Sequence, residues 1–67
     1  MEFSDILDQF LFDRNLTQSA FALAIGVKQP QVSEWLKGKA KPGYDSLKAI
    51  CLAFSVSADY LLGITEY

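Results

Sequence analysis

Apolar residues recur at helical intervals in five separated stretches of the chain. In the first, Phe3, Ile6, Leu7, Phe10 and Leu11 fall on one stripe, which predicts an amphipathic helix starting near Phe3 or Ser4. Asp13-Arg14-Asn15 ends it, because asparagine tolerates the left-handed conformation that closes a helix. The second helix opens at Thr17, whose hydroxyl can cap first-turn amides, with Leu16 and Phe21 as a hydrophobic staple. It stops at Gly26, where the cap needs a positive φ.

A third helix begins at about Lys28 or Gln29. Pro30 in its first turn is harmless, since the missing N–H has no intrahelical partner there. Val32, Trp35 and Leu36 share its inward face, and Gly38 ends it. After the lysine-rich loop "KGKAKPG", a fourth helix from about Tyr44 is expected to bury Leu47, Ile50, Cys51 and Phe54. A short fifth follows the N-cap Ser57, carries Tyr60, Leu61 and Leu62, and ends at Gly63. The pattern predicts an all-α compact bundle of five short helices joined by short connections.

At 67 residues the chain is expected to form a single domain, residues 1–67. With one cysteine and no histidine, it can form no internal disulfide and has poor means to bind zinc. Stability then rests on helix packing or self-association. No apolar run approaches the roughly 18 residues of a membrane span. The N-terminus is acidic where a secretion signal is basic, so a cytoplasmic location is expected.

Charge is unevenly distributed. Glu2, Asp5, Asp8 and Asp13 make the first thirteen residues acidic, with no base among them. Lys28, Lys37, Lys39, Lys41 and Lys48 outnumber Glu34 and Asp45 between residues 28 and 48. The net charge of −2 therefore conceals a basic third of the chain, which is either a solvated loop or a surface for an anionic partner.

The junction between the second and third helices carries a set of mutually consistent constraints. Two steeply crossing helices joined by a tight turn need a small residue at their closest approach, and Ala22 supplies it. Gly26 makes the turn, Val27 plugs the angle, and Phe21, Ile25, Val32 and Trp35 fill the wedge. Trp35 is thereby read as core rather than as a stacking platform, as are Phe3, Phe10, Cys51 and Phe54.

These motifs resemble the Xre/Cro-like helix-turn-helix family, the lambda-repressor-like domain of phage repressors and many small bacterial regulators. The resemblance runs from "LTQSAFALAIGV" through "QPQVSEWLKGKAKP" to "LKAICLAFSVSADYLLG". It implies sequence-specific binding to double-stranded operator DNA by a transcriptional regulator, as a homodimer on palindromic half-sites. With one cysteine and no histidine, no metal is expected, and no cofactor. The segment from about 29 to 37 becomes the recognition helix in the major groove.

Helical geometry then places Pro30, Ser33, Glu34 and Lys37 outward, Gln29 forward and Gln31 on the flank. Gln29 suits adenine, Pro30 a thymine methyl, and Ser33 a tolerant hydrogen bond. Glu34 either accepts from cytosine or pairs with Lys28 or Lys37. Backbone contacts are expected from Thr17, Gln18, Lys28, Lys37, Lys39, Lys41 and Tyr44. Gln18 matches the family's phosphate-contacting glutamine and can brace Gln29.

Leu23 and Leu36 stand where the family often has polar residues, and Lys28 where it often has a serine cap. Leu23 could pack on the first helix or meet a partner, and Ile64 and Tyr67 could serve a dimer. Alternative readings are a protein-interaction domain of this fold and an antitoxin-type regulator. An enzyme is disfavoured by the absence of histidine and of a phosphate-cradling glycine loop. The chain is read as either a complete small regulator or the N-terminal module of a longer repressor.

Overall fold

The computed structural model describes residues 2–64, and all regular structure among them is helical. The order is α1 (Phe3–Asp13), α2 (Gln18–Ile25), α3 (Gln29–Leu36), α4 (Tyr44–Phe54) and α5 (Ala58–Leu61).

One device ends every helix. Two backbone bonds close each of the first three, from the residue in the left-handed region and from the residue after it. Asn15 N–H donates to Phe12 O at 3.1 Å and Leu16 N–H to Leu11 O at 2.9 Å. Gly26 and Val27 repeat the pattern onto Leu23 and Ala22, and Gly38 and Lys39 repeat it onto Trp35 and Glu34. The left-handed residue is glycine at positions 26, 38 and 63, but Asn15 at φ 57° and Ser55 at φ 55° after α1 and α4. The following residue is apolar after every helix but α3, and after α1, α2 and α4 that residue, Leu16, Val27 or Val56, folds back against the core. That contact is the usual companion of this closure, and it steers the chain inward toward the next helix.

Helix starts vary more. Thr17 accepts from the Ala20 amide at 3.0 Å and Ser57 from the Tyr60 amide at 3.1 Å, so both act as expected. Lys28 has an ammonium that cannot accept, so half a capping box forms: Gln31 Oε1 accepts from the Lys28 amide at 3.4 Å.

The core draws on all five helices. Leu7, Phe21, Val32, Ile50 and Leu61 are fully enclosed, and Ile6, Phe10, Leu11, Ala22, Ile25 and Trp35 complete it. Phe10, Phe21 and Phe54 form an aromatic cluster across α1, α2 and α4. Phe21 stacks on Phe54 at 5.4 Å, and both meet the Phe10 ring nearly edge-on. Phe3 meets Trp35 edge-to-face at 6.3 Å, tying the start of α1 to α3.

Four side chains expected in the core are only half-buried: Phe3, Leu47, Cys51 and Phe54. Of the α4 side chains expected inside, Ile50 alone is enclosed. A domain this small has too little chain to cover every inward-turned residue. Leu62 departs further from expectation: as the cap of α5 it is 58% exposed, while Leu61 takes the core position. Leu23 does not pack on α1, being 84% exposed, and Leu36 lies half-buried against the core. Ile64 is exposed, and Tyr67 lies outside the described residues.

Candidate nucleic-acid interface

The α2–α3 junction shows why these residues are spaced as they are. Ala22 is 3% exposed, and α2 packs closely against α3. Gly26 turns the chain at φ 77°, Val27 sits half-buried in the angle, and Val32 and Trp35 pin α3 from beneath. The N-terminus of α3 is left exposed beside the N-terminus of α2.

A hydrogen bond links the two helix starts. Gln29 Nε2 donates to Gln18 Oε1 at 2.6 Å. The bond fixes how both amides are presented. Gln29 keeps its carbonyl oxygen and one N–H, an acceptor and a donor that this bond leaves free. Gln18 keeps its own NH₂ as a donor beside the α2 N-terminus, where the helix dipole is positive. Thr17 has its hydroxyl oxygen engaged in the cap, leaving the first amides of α2 open to an anion.

Along α3, Gln29, Pro30, Gln31, Glu34 and Lys37 are exposed. Ser33 is half-buried, so it stands on a flank and not fully on the outward arc. Gln31, placed on the flank by helical geometry, is the more exposed of the two. Helix α3 itself ends at Leu36, with Lys37 as its cap and Gly38 as the left-handed residue. Glu34 has neither Lys28 nor Lys37 as an ion-pair partner; among the described residues the ion pair is Lys41–Glu2.

Lys28, Lys37, Lys39 and Tyr44 are exposed, the last at 78%. Lys41 is exposed too, with its ammonium 3.8 Å from a Glu2 carboxylate oxygen, and both side chains are about three-quarters open to solvent. Such a pair contributes little to stability and leaves the lysine available. The sequence marks Glu2 only as one of the N-terminal acids, and nothing in local spacing signals a contact between chain positions so far apart.

No helix among the described residues is long and apolar enough to cross a membrane. Among the same residues, no group of three or more acids and cysteines is gathered as a metal would need.

Comparison with known proteins agrees with this geometry. Residues 11–61 match the family described as Helix-turn-helix, a span from the end of α1 to the end of α5. Over 66 residues the chain is 42% identical to the HTH-type transcriptional activator BcrR of Enterococcus faecalis, covering 98% of this chain. The chain spans 32% of the length of that relative. No solved structure matches the chain. With the turn at Gly26, the wedge beneath it and a family match over most of the chain, this protein belongs to the Xre/Cro-like helix-turn-helix family of DNA-binding regulators.

Proposed function

We propose that the chain binds double-stranded DNA sequence-specifically as part of a transcriptional regulator in the cytoplasm. The recognition segment, residues 29–37, lies in the major groove, and the protein acts as a dimer on a palindromic operator. The observation that carries this reading is the Gln29–Gln18 hydrogen bond. It presents a pre-oriented amide at the open tip of α3, and a second amide beside the helix start that would face the phosphates.

Gln29 then reads adenine N6 and N7, and Pro30 touches a thymine methyl. Glu34, free of lysine, accepts from cytosine N4, with Ser33 contributing from the flank. Thr17, Gln18, Lys28, Lys37, Lys39, Lys41 and Tyr44 set the register on the backbone. The sequence alone leaves activation and repression open, and the likeness to a protein named an activator supports activation.

Selection of tight binders from random duplexes, followed by titration at about 50 and 200 mM salt, tests the proposal. Four phosphate contacts per subunit give a slope of log affinity on log salt of about −3.6, and about twice that for a dimer. Reversing Lys39 and Lys41 to glutamate should weaken binding on all sequences and flatten the slope. Folded protein that binds no duplex at low salt would refute the proposal and favour the protein-interaction reading. Co-purification of a second protein chain that occupies the α3 face would point to the antitoxin type.

A further inference from the structure

On the side of the bundle formed by α1, α4 and α5, the end of α1 and the α4–α5 connection enclose a groove of about 500 Å³. Val56 and the Tyr60 ring form its apolar wall, Phe10 lies beneath them at 3% exposed, and Arg14 and Ser55 bring polar groups to its rim. The volume is within the range that holds small-molecule ligands. None of these residues belongs to α2 or α3.

Arg14 is held in an unusual way. Its guanidinium carbon lies 4.7 Å from the Phe10 ring centroid and 5.9 Å from that of Phe54. Stacking uses the face of the guanidinium, whereas its N–H donors project from the edge in the plane. Stacking and donation are therefore compatible. Among the described residues no carboxylate pairs with Arg14, so a positioned fork of donors stands unused at the mouth of an apolar groove.

Asp13 also lines the groove, its carboxylate accepting from the Gln9 amide at 2.8 Å. Its charge is only partly answered by that bond. A second negative charge on a ligand would meet repulsion there.

We propose that this groove binds a small monocarboxylate with a flat apolar body, the carboxylate forked by Arg14 and the body lying on Val56 and the Tyr60 ring. The site is separate from the proposed DNA surface and is tested without DNA.

The full chain, labelled with nitrogen-15, is titrated with 3-phenylpropanoate, with 3-phenylpropanamide and with phenyl phosphate. Phenylpropanoate should shift the Arg14 Nε–H and the amides of Ser55 to Tyr60 saturably, with a dissociation constant on the order of 1 mM for so small a probe. The neutral amide should bind about tenfold more weakly, having lost the charge-assisted fork. Phenyl phosphate should also bind more weakly than the monocarboxylate.

Arg14→Ala, its fold checked by amide resonances of α2 and α3 that match the parent's, should abolish the shifts. Arg14→Lys, a point charge without the planar fork, should weaken binding about tenfold. No saturable shift, equal binding of the amide, tighter binding of the phosphate, or unchanged binding in either variant would overturn the assignment.

Discussion

Gly26 stands at the turn on which the α2–α3 geometry depends, and the cost of replacing it can be worked out from its surroundings. Its φ is 77°, which L-residues reach only with strain. No heavy atom lies within 4 Å of where a Cβ would be, so an added methyl meets open space. The loss is then conformational only. A left-handed L-residue costs about 1–2 kcal/mol. Alanine recovers part of this by restricting the unfolded chain, by about 0.4–1 kcal/mol.

Gly26→Ala should therefore lose about 1 kcal/mol, which in a domain of this size lowers Tm by about 4–8 °C. Asparagine, which tolerates this region, should lose less, and valine more, because its branched Cβ is a true outlier there. Gly38→Ala is the internal control. Its φ is 75° and its added Cβ would lie 3.8 Å from Ser4 Oγ, an ordinary contact, so the same loss is expected. Thermal and urea unfolding followed by far-UV circular dichroism measures all four variants. A Gly26→Ala protein as stable as the parent would refute the reasoning. So would valine ranking above asparagine, since the strain would then not be what the backbone angle implies.

Thr17→Ala removes the acceptor for the Ala20 amide and should cost about 1 kcal/mol in the same unfolding assay. Phe21→Ala empties the centre of the aromatic cluster and should cost about 3–5 kcal/mol. That is comparable to the whole stability of a marginal domain, so lost helicity at room temperature is the expected spectrum. Gln29→Ala should weaken binding to the selected duplex by about 1–3 kcal/mol and relax preference at one base pair, read by competition with single-base variants. Equal loss on every duplex would make Gln29 a backbone contact. Gln18→Ala should instead weaken binding on all duplexes, since it removes both the brace and a phosphate donor.

Local signals in the chain determined the helices, their order and most of their ends. The stripe Phe3–Leu11, the cap at Thr17 and the stop at Gly26 each follow from bonds and angles within a few residues, so the sequence alone carries them. The left-handed Ser55 does not announce itself, because serine rarely takes that conformation. There the structure depends on Val56 folding onto the core, a contact made with the rest of the molecule.

Burial was legible as direction but not as degree. Spacing turns Leu47, Cys51 and Phe54 inward, yet how far each is covered depends on how much of the other helices reaches α4. The same holds at the candidate site. Sequence pattern identified Gln18 and Gln29 and put Glu34 on the open face. Only the packing of α2 against α3 brought the two glutamines to 2.6 Å, placed Ser33 on a flank and left Glu34 without a lysine. The Arg14 stack and the Lys41–Glu2 pair belong wholly to the tertiary structure. Helix periodicity is encoded over a turn or two of chain, while contacts between residues of different helices are fixed only when all the buried faces are satisfied together.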